Sequence, residues 1–470
     1  MNSEKENMGY LLFLSMVAAL GGFLYGYDTA VVSGTIQMVS EQFGLSSAGV
    51  GWYVSSALLG SILGVMMAGV FCDYSGRKNT LLVSAILFTA SAVGCAFSGS
   101  FNILIMYRII GGIGIGLVSV VSPLYISEIS IAKYRGRFVS LYQLAITVGF
   151  LGAYLVNYGL STMSVNTIAG KSGLFDWLFH GELWRGMLGT EVFPALIFII
   201  IIFLIPESPR WLLLRYKENE AKSVLYRMLH DNNAVENEIS SIKQVLSEKG
   251  KKVPLRDNLN TKTVRLILFG SLIAIMGQFM GVNAVLYYGP TIFQQNGLSG
   301  GESLLYQVLI GLVNSLTTVL GLLIIDKIGR KKLIYFGVTG MFISLIFIAL
   351  FFSKGAEWGV SPALMLVFFL AYIFFCAISI CLVVWVLFSE MFPIRIRGLA
   401  MSFSGMFIWL GAFLIGQITP FMLENLGSSG TFLSFAVVCI PYLFIMRFCI
   451  PETTGRTLEE IEKELNIKDY

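Results

Sequence analysis

Asp28 and Arg108 carry charge where charge is costly. Asp28 interrupts an apolar and small-residue run from Tyr10 to Gly34, in the stretch "GGFLYGYDTAVVSG", and nothing near it in sequence neutralises it. Arg108, in "YRIIGGIGIG", is the one basic residue inside a comparable run. Each lies six residues from the edge of its run, counted from Gly34 and from Asn102. At 1.5 Å per residue this puts both about 9 Å below the same boundary of a bilayer. A charge at mid-membrane costs roughly 2.5–3.5 kcal/mol on insertion scales, so it faces a cavity or a partner. Equal depth makes the two partners. Paired with Arg108, Asp28 stays ionised; separated from it in a dry site, the carboxylate takes a proton, which is proton-carrier chemistry. A static ion pair welding two helices uses the same residues. Glu191, in "GTEVFPALIF", is a further carboxylate near an apolar run, either part of this chemistry or simply interfacial.

A second set of residues has the opposite character. Gln143, Gln278, Asn283 and Asn314 are uncharged amides inside apolar runs, and Trp385 and Trp409 lie inside theirs, away from the interfacial aromatic belt. A sugar is neutral, with hydroxyls at its rim and C–H groups on its faces. Amides offer it donors and acceptors, and aromatic rings cover the faces. Tyr25, one turn before Asp28, stands where ligand occupancy could couple to protonation. Any one of these amides also serves as glue between helices. Enzymes are excluded by the lack of a nucleophile–base pair, a metal cluster or a phosphate loop, and "GGIGIG" reads as helix packing. The six cysteines (Cys72, Cys95, Cys376, Cys381, Cys439, Cys449) and two histidines (His180, His230) show no metal-binding spacing and read as structural, so no metal or cofactor is expected.

The elements that position these residues follow from composition. Apolar residues make up 56% of the 470 positions and charged residues only 13%, against roughly a quarter in a soluble domain. A spanning helix needs about 20 mostly apolar residues. Twelve such segments centre near residues 22, 60, 89, 114, 149, 197, 275, 314, 342, 376, 410 and 440, which makes this an all-α membrane protein with twelve transmembrane helices. The first is too long for a cleavable signal and lacks an A-x-A-like exit. Of the 32 Lys and Arg residues, all but Lys171, Arg185, Lys354 and the in-span Arg108 fall on one side, so both termini are expected in the cytoplasm. The net charge of +4 is thus a topology signal, with no call for nucleic acid.

The chain repeats itself. "DYSGRK" (Asp73, Arg77, Lys78) returns as "DKIGRK" (Asp326, Arg330, Lys331), "SEISIAKYRG" (Glu128, Arg135) as "SEMFPIRIRG" (Glu390, Arg397), and "PESPR" at Pro206 as "PETTG" at Pro451. The offsets of 253, 262 and 245 residues are nearly equal, and the motifs follow the second, fourth and sixth spans of each half. Two six-helix bundles in parallel repeat result: residues 1–206, a helical cytoplasmic linker over 207–262, and residues 263–470 with a short cytoplasmic tail. In the linker, Val235, Ile239, Ile242 and Leu246 form one apolar stripe and Val224, Leu225, Met228 and Leu229 another. Ion pairs among Asp73, Arg77, Glu128, Arg135 and their copies Asp326, Arg330, Glu390, Arg397 are expected to latch the cytoplasmic side, the alternative being solvated topology charges.

Together "GRK", "YRIIGGIGIG", "PESPRWL", "GQFMGVNAVLYY" and "PETTGRTLEEIE" resemble the sugar porter family of the major facilitator superfamily over essentially the whole chain, and "GYDTAVVSGT" most resembles its bacterial proton-coupled D-xylose symporters. The resemblance implies the major facilitator fold and import of a monosaccharide, a pentose such as D-xylose or a hexose, with protons by alternating access. A facilitative uniporter and a non-transporting sugar sensor are the other readings. It also implies a monomer in a bacterial inner membrane, with sugar, protons and the lipid bilayer as its only partners. Asp28 and Arg108 match the symporters' proton-coupling pair, for which facilitative relatives carry asparagine at the acidic position, and Glu191 matches a coupling glutamate. Gln143, Gln278, Asn283, Asn314, Trp385 and Trp409 match sugar-contacting positions, while Tyr287 and Tyr288 match an outer gate. Departures are Gly277 for the first of a glutamine pair, Ile408 and Phe150 for polar residues, Tyr25 for phenylalanine, and Cys381-Leu382 for a Gly-Pro pair in helix ten. Without that proline, helix ten is expected to be straighter.

Overall fold

The computed structural model describes residues 7–131, 134–166, 173–248, 261–355, 357–392, 397–448 and 450. Among these the regular structure is helical, with no strand. Eleven helices are long and apolar enough to cross a membrane. They run Met8–Gly34, Ser47–Ser75, Arg77–Ala96, Phe101–Ile129, Arg135–Ser164, Leu183–Ile202, Thr263–Gln295, Gly300–Ile325, Arg330–Lys354, Ala363–Phe388 and Ala400–Phe448. The last, at 49 residues, is about 74 Å long at helical rise, enough for two crossings. Gly427, with φ 65° and ψ 176°, breaks it in the middle. Spans eleven and twelve are therefore joined end to end through one glycine, which completes the twelve.

The chain falls into two compact units that do not follow the sequence halves. One holds residues 1–28, 60–149 and 189–254; the other holds 29–59, 150–188 and 255–470. The reason lies in hydrogen bonds inside the second unit. Tyr154 Oη donates to Leu286 O at 2.8 Å, Ser55 Oγ to Gln417 Oε1 at 2.9 Å, and Gln417 Nε2 to Ala48 O at 3.1 Å. These tie spans two and five to helices of the second half.

Within the first unit, the glycine run of span four packs backbone on backbone. A Cβ on Gly116 would lie 2.3 Å from Ser61 O, and one on Gly60 would lie 2.2 Å from Ile109 O. Lipid supplies no hydrophobic drive between helices, so such close approach of small residues is what holds them together. The described part of the linker forms helices Pro209–Leu214, Glu218–Leu229 and Asn232–Glu248. Their apolar stripes bury Val224, Leu225, Met228, Val235 and Ile239, while Leu246 lies outside the described side chains.

Two spans of the second unit are broken. Span seven consists of Thr261–Phe279 and Val282–Gln295, parted at Gly281, whose φ is +91°. A Cβ there would meet the Phe435 ring at 2.3 Å, and Tyr372 Oη donates to the freed Met280 carbonyl at 2.8 Å. Span ten consists of Pro362–Ile378 and Ile380–Met391, parted at Ser379 with φ −118° and ψ −88°. The straighter helix expected from the missing Gly-Pro pair is not what forms. The break moves two residues earlier, where Ser379 Oγ donates to Phe375 O at 2.6 Å and the Ser379 side chain fills the space left by Gly337.

Gly281 therefore meets two constraints that alanine violates. A left-handed backbone costs an L-residue about 1–2 kcal/mol, and displacing Phe435 adds an overpacking cost of roughly 1–3 kcal/mol. Gly281→Ala should lower the thermal unfolding midpoint in detergent by several degrees. A midpoint equal to that of the unaltered protein would show that the break in span seven is relaxed.

Candidate functional site

In the first unit, Arg108 Nη1 donates to Asp28 Oδ1 at 2.7 Å. It also faces the Asp28 backbone carbonyl at 3.4 Å. Both side chains are 2% exposed, so this pair is held away from water. Span one delivers Asp28 and span four delivers Arg108, at the matching depth that their sequence positions implied. Gly111, one turn after Arg108, makes room for the carboxylate: a Cβ there would lie 2.9 Å from Asp28 Oδ2 and 2.5 Å from Ser91 Oγ. Asp28 Oδ2 accepts no hydrogen bond among the described residues. One carboxylate oxygen is thus committed to arginine and the other stays available.

Glu191 is buried within the protein. It is 2% exposed and sits where span six is interrupted between Leu183–Gly189 and Val192–Ile202. It is near enough to act electrostatically on Asp28 and Arg108, and its Oε1 has no hydrogen-bond partner among the described residues. The Tyr27 hydroxyl, next to Asp28 in sequence, hydrogen-bonds to Thr190 Oγ1 at 2.8 Å. That bond clips span one to the interruption in span six. Sequence reasoning missed Tyr27, Thr190 and Ser91, which carry no charge to mark them. Two carboxylates and one guanidinium in a dry enclosure are fully compensated only when one carboxyl holds a proton, so this group can exchange protons.

The neutral residues divide between the units. Gln143 and Tyr25 belong to the first and are half-buried. Gln278, Asn283, Asn314, Trp385 and Trp409 belong to the second. The break at Gly281 folds Asn283 back so that its Nδ2 donates to Gln278 Oε1 at 2.8 Å. Gln278 in turn packs its Cβ and Cγ into the space left by Gly411 of span eleven. Asn314 is 8% exposed and Trp409 7%, whereas Trp385 is 43% exposed, with its ring edge against Gly405. Tyr287 and Tyr288 are both buried, and Tyr288 Oη donates to Gly416 O at 2.6 Å. A cavity of about 160 Å³ in the second unit is lined instead by residues such as Ser33, Gln37, Thr291 and Gln294, none of them in the expected set.

The repeated motifs build the same contacts twice. Arg77 binds Glu128 through two parallel bonds, Nε to Oε2 and Nη2 to Oε1, each 2.9 Å, with Asp73 Oδ1 at 3.7 Å. Arg330 Nη2 binds Glu390 Oε1 at 2.9 Å. Lys78 Nζ donates to Phe203 O at 3.2 Å, and Lys331 Nζ to Ile450 O at 2.7 Å. Each glutamate therefore takes the arginine of the "GRK" motif within its own half, and Glu128 does so rather than pairing with Arg135 seven residues along. Arg135 is exposed, and the side chains of Asp326 and Arg397 lie outside the described residues. Glu207 of "PESPR" was not anticipated. It accepts the backbone N–H groups of Arg77 at 2.9 Å and Lys78 at 3.1 Å, so it caps span three. Burial pushes its carboxyl above the ordinary range, and the backbone N–H donors pull the other way.

The two arginine–glutamate pairs differ in exposure, 6% and 3% for Arg77 and Glu128 against 14% and 23% for Arg330 and Glu390. Removing one partner of a buried pair costs about 3–5 kcal/mol, because the other charge is stranded. Glu128→Ala should accordingly depress the unfolding midpoint far more than Glu390→Ala. Equal losses would show that burial does not separate the two copies.

Comparison with known proteins identifies the family. The family model described as "Sugar (and other) transporter" matches residues 14–465. The arabinose-proton symporter of Bacillus subtilis is 36% identical, covering 98% of this chain and 96% of that one. The D-xylose-proton symporter of Escherichia coli is 36% identical, covering 98% and 97%. Among solved structures, the inward-open conformation of the xylose transporter XylE from E. coli superposes with a TM-score of 0.82 at 32% identity, over 97% of this chain and 100% of that one. Matched along nearly its whole length in sequence and fold, the chain belongs to the sugar transporter family of the major facilitator superfamily, and it is a multi-pass membrane transporter rather than an enzyme.

Proposed function

We propose that this protein imports a monosaccharide, a pentose such as D-xylose or a hexose, together with protons by alternating access. The observation that carries this reading is the buried Asp28–Arg108 pair with Glu191 beside it. A facilitative carrier has no use for a buried ionisable pair that strands a charge whenever it opens. A symporter needs one, because the separation of Asp28 from Arg108 is what calls for a proton. Similarity to an arabinose-proton and a D-xylose-proton symporter supports the same direction.

Sugar is bound by Gln143, Gln278, Asn283 and Asn314 through their amides and by Trp385 and Trp409 through their rings, with Tyr25 reporting occupancy to Asp28. The mutual bond of Gln278 and Asn283 supports this role: it holds both amides in place and leaves Gln278 Nε2 free to donate. Tyr287 and Tyr288 close the outer side, where Tyr154, Ser55 and Gln417 already tie first-half helix ends to the second half. Arg77–Glu128 and Arg330–Glu390 brace the cytoplasmic side and act as its latch. The bias of basic residues supports cytoplasmic termini, and the similarity to bacterial proteins supports a bacterial inner membrane. The protein works as a monomer, each chain holding a complete set of these residues.

Purified protein in liposomes, given an inward proton gradient and a panel of labelled pentoses, hexoses and polyols, should concentrate at least one sugar, and a protonophore should abolish the accumulation. Asp28→Asn should lose accumulation but keep sugar exchange; unchanged accumulation would remove Asp28 from proton transfer. Gln278→Ala should weaken binding of the transported sugar by about 1–3 kcal/mol, since it removes hydrogen bonds to both sugar and Asn283. Unaltered affinity would move the site elsewhere. Equilibration without accumulation in the native protein would favour a uniporter.

A further inference from the structure

The break in span ten brings together two cysteines that a regular helix would keep apart. Cys376 ends one segment and Cys381 begins the next, and their Sγ atoms lie 3.6 Å apart, in van der Waals contact. Residues five apart on an unbroken helix are turned about 140° around the axis and separated by about 7.5 Å along it, so their side chains leave in different directions. Ser379, with its non-helical φ of −118° and ψ of −88°, removes that separation. Its N–H bonds to Cys376 O at 3.2 Å, and its own carbonyl accepts from Val383 N at 2.8 Å, so the chain tightens locally around it. Gly337 and Gly340 of span nine receive Ser379 and Phe375, which holds the break against its neighbour. Cys376 is 1% exposed, whereas Cys381 is only half-buried. Cys381 is thus the more exposed thiol of the pair and Cys376 the one behind it.

We propose that Cys376 and Cys381 form a redox-reactive dithiol site whose oxidation by a peroxide locks the break in span ten. The sulfur of Cys381 attacks one peroxide oxygen, the O–O bond breaks, and a sulfenic acid forms with release of water. Cys376 then attacks that sulfur, the S–OH bond breaks, and a second water leaves as the disulfide forms. The two thiols together lose two electrons and two hydrogens, and the peroxide is reduced to two waters. Closure moves each sulfur by less than about 1 Å, from contact to the roughly 2.05 Å of a disulfide. A disulfide across Ser379 exists only in the broken helix, so its formation forbids any straightening or rebending at that point. Thiol exchange with a reductant restores the dithiol. Span ten carries Trp385 one turn beyond Cys381, and a frozen break therefore holds that ring in one position. This last consequence rests on the sugar-transport reading; the disulfide itself does not.

The test uses the full-length protein in liposomes, treated with hydrogen peroxide and then with dithiothreitol. Mass spectrometry should show the peptide bearing both cysteines lighter by two hydrogens, with no added oxygen. Amide hydrogen exchange across residues 376–385 should slow by about tenfold or more when oxidised and recover on reduction. Sugar uptake should fall by a similar factor and recover likewise, while Cys376→Ser and Cys381→Ser should each keep uptake after peroxide. No disulfide at a peroxide dose that oxidises methionines in the same protein would overturn the site. A disulfide with unchanged exchange would overturn the lock, and peroxide inhibition persisting in either serine variant would place the target elsewhere. If the untreated protein carries no sugar, the mass and exchange readings still decide the dithiol proposal, and only the transport reading fails.

Discussion

A carboxylate cannot sit alone in hydrocarbon, and much of the first unit is arranged around that constraint. Asp28 enters the membrane on span one because Arg108 meets it from span four at 2.7 Å. Span four can come close enough because its glycines carry no side chain where other spans cross it, and Gly111 leaves room for the carboxylate itself. Span six is interrupted where Glu191 faces the pair, and the Tyr27–Thr190 bond keeps that interruption in register with span one. Each of these features is costly taken singly. Together they build an enclosure in which ionic balance depends on a single proton.

Breaks in the helices follow the same economy. In a bilayer each backbone polar group freed by a break must find a partner within the protein. Tyr372 takes up the Met280 carbonyl exposed by Gly281, and Ser379 bonds back to Phe375 where span ten parts. Glu207 accepts the N–H groups at the start of span three. These partners come from a different helix, a neighbouring turn or the following loop, so each irregularity is anchored to something that does not share it. The irregular points lie next to residues for which a role is proposed: Glu191 in span six, Gln278 and Asn283 in span seven, Trp385 in span ten.

Fold and family were legible in the sequence because both depend on long-range statistics. Apolar run length, basic-residue asymmetry and the triple repeat survive any local uncertainty, and they produced the twelve spans. The equal depths of Asp28 and Arg108 were legible too, since helical rise converts residue number directly into distance. Three things were not. Proline is one way to break a helix, and its absence from span ten suggested continuity; a serine packed against Gly337 breaks the helix by tertiary contact, which no local rule sees. Which charges of the repeated motifs pair was not written in their spacing: Arg77 binds Glu128, because helix ends meet neighbours across loops and not along their own chain. Glu207 was passed over as part of a family motif, although a carboxylate beside a helix N-terminus has a physical role without any family.

The repeat duplicates architecture but not chemistry. Both halves keep the arginine–glutamate pair and the lysine that reaches a carbonyl near the end of its sixth span. Among the described residues, only the first half buries an ion-paired aspartate and arginine within spans, and only the second gathers two hydrogen-bonded amides at a broken helix. Contacts that hold helix ends are needed wherever a bundle must keep its shape, so duplication preserves them. Ligand chemistry is needed once, and a second copy of a buried charge would add cost without function. Such a division of labour has a thermodynamic consequence. Proton and sugar do not have to touch for one to drive the other. On the proposed assignment it is enough that protonation of Asp28 and sugar binding at the amides each favour the same conformational change, because two ligands that bias one equilibrium are coupled by linkage. The coupling then resides in the conformational equilibrium of the whole chain, and residues far from either ligand, such as those that set the breaks in spans six, seven and ten, govern its strength.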